Sequence, residues 1–111
     1  MATSLNNLGD LARAQNRNDE ARRQYDEALR INSELAKADP RAYLPEVATT
    51  LNNLGNLSRD QNRLDQARRN LEQALKIYES PAIKIIGKQQ FILDAADVKR
   101  QLETLPSKKG S

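Results

Sequence analysis

At 111 residues the chain has room for one domain, and four Gly and four Pro exclude collagen-like and Pro/Gly-rich low-complexity classes. Cys and His are both absent, which removes disulfides, thiolate metal sites, thiol nucleophiles and the commonest general base; neither a catalytic residue, a metal site nor a cofactor is expected. Eighteen basic residues stand against fifteen acidic ones, net +3, with both signs interleaved, so no basic stripe marks a nucleic-acid surface. No apolar run approaches the ~18 residues of a membrane span and Met1 opens no signal-peptide core, so no membrane association is expected and the expected location is cytoplasmic.

The first predicted helix runs over about 2–15, with Leu5, Leu8 and Ala12 recurring at i, i+3, i+7. Gly9 falls inside it, where glycine costs about 1 kcal/mol relative to alanine, a cost that a tightly crossing neighbour would justify. Asn16-Arg17-Asn18 is a short polar break, and Asp19 is the expected N-cap of a second helix over about 20–38, whose inner stripe is Ala21, Tyr25, Ala28 and Leu35. Pro40 ends that helix. Residues 39–45 read as a linker with Tyr43 and Leu44 packed beneath it, and Pro45 suits the first turn of the next helix.

The pattern then starts again. Residues 2–9 read ATSLNNLG and residues 48–55 read ATTLNNLG; at this offset of 46, residues 2–34 and 48–80 share 19 identities in 33. The chain duplicates a unit, and repeats of this length indicate stacked supersecondary elements. The second copy predicts helices over about 46–61 and 66–79, with Leu51, Leu54 and Ser58 on the first, Asp65 as the cap, and Ala67, Leu71 and Ala74 on the second. Ser80-Pro81 reads as a cap followed by proline at the first helical position, leading into the β-branched run Ala82–Ile86 and Gly87. A last helix over about 90–105 carries Phe91, Ala95, Val98, Leu102 and Leu105 on one stripe and lacks the repeat wording, as a terminal cap of an array does. The divisions are therefore 1–45 and 46–80 for the two helix pairs, 81–106 for the capping region and 107–111 for a disordered tail.

These residues resemble the tetratricopeptide repeat family. Leu5 stands at the family's large position with Leu8-Gly9 following, and Ala21, Tyr25 and Ala28 fill its small, aromatic and small sites; the second copy places Leu51, Leu54-Gly55, Ala67, Leu71 and Ala74 there. The LNNLG wording and the long unit most resemble the kinesin-light-chain-like branch and related prokaryotic arrays. The unit exceeds the usual 34 residues by about 12, and the usual Trp is Leu. The resemblance implies an all-α fold, an α-solenoid of helical hairpins, whose first helices line a concave face that binds peptide segments of other proteins. It points to Asn7 and Asn53, with Asn6, Asn52, Asp10, Asn56, Arg13 and Arg59 beside them. Spacing alone sets these eight on one side of the first helix of each unit, opposite the leucines. Paired Asn can equally solvate a face or bond the adjacent repeat.

Three uses compete. The leading one is a non-catalytic protein–protein interaction module. The second is a homo-oligomeric scaffold: two units plus a cap fall below the roughly three repeats that arrays need, and the first helix pair, with Leu5, Leu11 and Tyr25, has no hairpin before it, so a homodimer through that end is expected. Leu11 recurs as Leu57 off the inner stripe, so in the second unit it should meet the preceding hairpin. The third, RNA binding, would need a basic groove with stacking aromatics, and the first helices carry no aromatic residue. The repeated Arg22-Arg23 and Arg68-Arg69 read either as an acidic-partner patch or as i, i+4 pairs with Asp26, Glu27 and Glu72.

Overall fold

A computed structural model describes residues 2–105, with side chains from Leu5 onward. Six helices follow one another: α1 (Ala2–Ala14), α2 (Asn18–Ala38), α3 (Pro40–Asp60), α4 (Leu64–Tyr78), the short α5 (Pro81–Lys84) and α6 (Gln89–Thr104). The described residues form helices and no strand, so the fold is all-α and a helical repeat. α1 packs on α2, α3 packs on both α2 and α4, and α6 closes over α4.

Each hairpin turns the same way. Asn16 and Asn62 adopt the left-handed conformation at φ 61°, which Asn tolerates better than most residues. Behind them the Arg17 N–H donates to the Ala12 carbonyl and the Arg63 N–H to the Ser58 carbonyl, both at 2.8 Å, closing the helix end by a 6→1 bond. The expected caps are corrected here. The second helices begin at Asn18 and Leu64 with no side-chain cap, so Asp19 and Asp65 lie within the first turn, where a carboxylate still favours the helix dipole.

The linker is corrected as well. Residues 40–45 are the opening turns of α3, and the 45/46 division falls inside that helix. Asp39 alone joins α2 to α3: its N–H donates to the Leu35 carbonyl and its carboxylate accepts from the Ala42 N–H. Pro40 at the first helical position loses nothing. Pro45 forfeits a bond to the Arg41 carbonyl, and Arg41 is exposed, so water can take that group.

Small residues set the helix spacing. Ala21, Ala28, Ala67 and Ala74 are fully buried, and Tyr25 and Leu71 fill the gaps opposite Gly9 and Gly55. The buried line of α2 continues through Asn32 and Ala36, one residue beyond Leu35, which is exposed. One core cluster joins α2, α3, α4 and α6, with Val98 and Leu105 buried and Phe91, Ala95 and Leu102 packed against it, so the terminal helix covers the second unit as expected. A second cluster, Ala12, Ala21, Tyr25, Leu54 and Leu57, lies at the junction of the two units. Within the β-branched run Ile83 is buried, Ile86 half-buried and Ile85 exposed. The expected tail, 107–111, lies outside the described residues.

Candidate functional site

The first helices of the two units, α1 and α3, are pinned side by side. Near one end the Thr50 hydroxyl, fully buried, reaches Asn6 Oδ1 at 3.1 Å while also lying 3.0 Å from its own helix's Glu46 carbonyl. Near the other end Arg13 Nε donates to Asp60 Oδ2 at 2.7 Å, and this bond raises the guanidinium pKa above its ordinary value. α2 joins the same junction: Arg22 Nη2 donates to Gln61 Oε1 at 2.7 Å and to the buried Ser58 hydroxyl at 3.2 Å. Arg22 therefore bonds across to α3, in place of a simple pair with Asp26; burial raises the Asp26 pKa while the charge of Arg22 opposes that.

The eight expected site residues separate under this geometry. Asn6 is buried in the junction. Asp10 accepts a hydrogen bond from the Tyr25 hydroxyl, and Arg13 holds Asp60. Asn52 and Asn56 are half-buried, each with a buried Oδ1 that has no donor among the described residues. Asn7 is exposed, and Asn53 and Arg59 are half-exposed. The eight thus do not share one open side. Along α1, Gly9 meets Tyr25 of α2 and Ala12 shares the junction cluster, the line Asn6, Asp10, Arg13 faces groups on Thr50, Tyr25 and Asp60, and Asn7 falls between that line and Leu8. Leu8, expected on the inner stripe, is 49% exposed, whereas its counterpart Leu54 is 3% exposed.

Asp10, Arg13, Ala14 and Asp60 line a small cleft of about 350 Å³ where α1 and α3 meet. Burial, and then the Asp10 carboxylate, push the Tyr25 phenol well above its ordinary pKa, so the hydroxyl keeps its proton and donates it. Besides Tyr25, five members of this junction were not among the eight expected site residues: Arg22, Thr50, Ser58, Asp60 and Gln61. A signal for two groups in it lies in the repeat itself. Ser58 and Asp60 replace Ala12 and Ala14 of the first copy, so the second unit carries polar groups where it meets the first, and the first carries methyls at the same sites.

This arrangement, paired helices stacked through small residues with the second unit docked on the first, agrees with a family model described as tetratricopeptide repeat, which matches residues 1–80. The chain belongs to the tetratricopeptide repeat family. No curated protein and no solved structure matches it. In tetratricopeptide terms α1–α2 and α3–α4 are the two hairpins, and α6 packs on the second helix of the last one. No helix among the described residues is long and apolar enough to cross a membrane.

Proposed function

We propose that the chain is a non-catalytic interaction module that holds a peptide segment of a partner protein on the concave side of α1 and α3. Tetratricopeptide repeats commonly mediate protein–protein interaction, and the family is generally non-catalytic. The observation that supports the finer reading is the pinning of α1 to α3 by Asn6–Thr50 and Arg13–Asp60, while neither Asn7 nor Asn53 contributes a hydrogen bond to that junction among the described residues. An amide both donates and accepts, so these two suit the alternating groups of a peptide backbone; Asn52, Asn56 and Arg59 flank them. LNNLG in both units and the 46-residue spacing support placement in the kinesin-light-chain-like, long-repeat branch. A cytoplasmic location belongs to the same reading, since a chain without Cys needs no oxidising compartment.

The test is selection of peptides from a displayed library on the full chain, followed by calorimetric titration. Asn53→Ala should weaken a selected peptide by about 1–2 kcal/mol, the worth of a lost hydrogen bond, with an unchanged thermal melt. Selected peptides that bind a joint Asn7→Ala, Asn53→Ala variant as well as the parent would move the site elsewhere.

A second reading, self-association through the outer face of the first hairpin, has its own support. Leu11 is 55% exposed while its counterpart Leu57 is fully buried. Tyr25, expected on that face, is buried in the junction instead, and Leu5 is half-buried, so Leu8 and Leu11 would carry the contact.

A further inference from the structure

We infer that the cleft between α4, α5 and α6 is a second docking site, for an amphipathic segment of a partner protein that carries acidic residues beside large apolar ones. A groove of about 500 Å³ lies there, within the range of built ligand pockets, roughly 300–1,000 Å³. Ile83, Phe91, Ile92 and Ala96 contribute its apolar surface, and the buried Tyr78 lines it as well. Ile92 is 66% exposed, and the neighbouring Ile85 and Leu93 are exposed as well, so the apolar surface extends past the groove. Apolar patches rimmed by polar groups mark interaction sites.

The rim defines the occupant. Lys84 on α5, Lys88 before α6 and Lys99 on α6 surround the groove, and Glu79 is its one acidic lining residue. Glu79 already meets Lys99 at 3.2 Å. Lys88 sits 5.7 Å from the centre of the Phe91 ring, and neither it nor Lys84 meets a carboxylate among the described residues. An apolar segment alone would leave two cations stranded at its edge; one with flanking carboxylates matches both features. Two uncommitted cations, on α5 and at the start of α6, suit acidic groups spread along a peptide, more than the single head of a fatty acid. The residues after 105 add Lys108 and Lys109 and no acid. On the first hairpin the carboxylates of Glu20, Glu27 and Glu34 already meet Arg17, Arg30 and Lys37 at 3.8, 2.6 and 3.1 Å.

No lining residue belongs to α1 or α3, so this site stands or falls separately from the concave face. The probe is a fluorescein-labelled helical peptide with Leu on one face and Glu flanking it, compared by anisotropy with its Glu→Lys counterpart on the full chain. The acidic peptide should bind and the basic one should not. Lys84→Glu with Lys88→Glu should weaken binding about tenfold and remove its salt dependence. Ile92→Asp should abolish it, with melts of both variants matching the parent, while the joint Asn7→Ala, Asn53→Ala variant should bind as the parent does. Equal binding of the two peptides, or undiminished binding to the Lys and Ile92 variants, would overturn the proposal. So would a parent dimer that Ile92→Asp dissociates, which gives the groove to a second copy, or laurate displacing the peptide through the same residues at lower concentration.

Discussion

Glycine at positions 9 and 55 is a packing requirement. A methyl group at Gly55 would stand 2.8 Å from both Leu71 Cγ and Cδ2, and one at Gly9 would stand 2.5 Å from Tyr25 Cε1. Alanine would recover about 1 kcal/mol of helix propensity, against an overpacking cost of about 1–3 kcal/mol. Gly55→Ala should therefore lower stability by up to about 2 kcal/mol in urea melts, and a stabilised variant would show that α3 and α4 part freely. Tyr25 makes a second residue-scale prediction. Its folded pKa lies above the unfolded value near 10, so its proton favours the folded chain. That contribution is complete below about pH 10 and declines as the pH rises through 10 towards the folded value. Tyr25→Phe should cost about 1–2 kcal/mol at neutral pH through the lost bond to Asp10, and the gap to the parent should narrow in melts at rising alkaline pH; a gap that widens would refute the assignment. The glycines and their partners were legible because Tyr25 and Leu71 occupy equivalent positions 46 apart. Asn6 and Asn7 were not separable, since identical neighbours differ only by the 100° between successive helical residues, and which one turns inward depends on where α3 lies.

At the scale of elements, the hairpin turns hold the two units in one geometry. Both use Asn at φ 61° followed by a bond from the next residue to the carbonyl five residues back, Arg17 to Ala12 and Arg63 to Ser58. An L-residue without a short polar side chain costs roughly 1–2 kcal/mol in that conformation, and glycine does not. Asn62→Ala should lose about 1 kcal/mol while Asn62→Gly stays within about 0.5 kcal/mol of the parent. Equal melting of the two variants would show that the turn does not constrain the hairpin. The helices themselves, and the stripe of α6, followed from periodicity. The start of α3 did not, because two prolines five residues apart read as a break. Asp39 as cap and Pro40 at the first position make a start of what resembled a stop, and only the packing of Tyr43 and Leu44 against the core decides between them.

At the scale of the whole molecule, the large apolar side chains that stay exposed among the described residues are Leu8, Leu11 and Leu35 on the first hairpin and Ile85, Ile92 and Leu93 near α6. The second hairpin has none, because it is covered on both sides: by Ala12 and Tyr25 of the first unit and by α6. The duplication shows what Leu8 and Leu11 are suited to, since their counterparts Leu54 and Leu57 are buried against a hairpin of related sequence. A domain of this size buries only about 65% of its unfolded surface, so two exposed leucines on one helix are a substantial loss. Self-association through α1 predicts a dimer in size-exclusion chromatography with light scattering, and Leu11→Glu should convert it to monomer with little change in melting, because Leu11 is on the surface. Leu57→Ala is the contrasting variant: fully buried, it should cost about 2–5 kcal/mol and leave the association state of the folded fraction unchanged. A parent that runs as a monomer at high micromolar concentration would end the self-association reading.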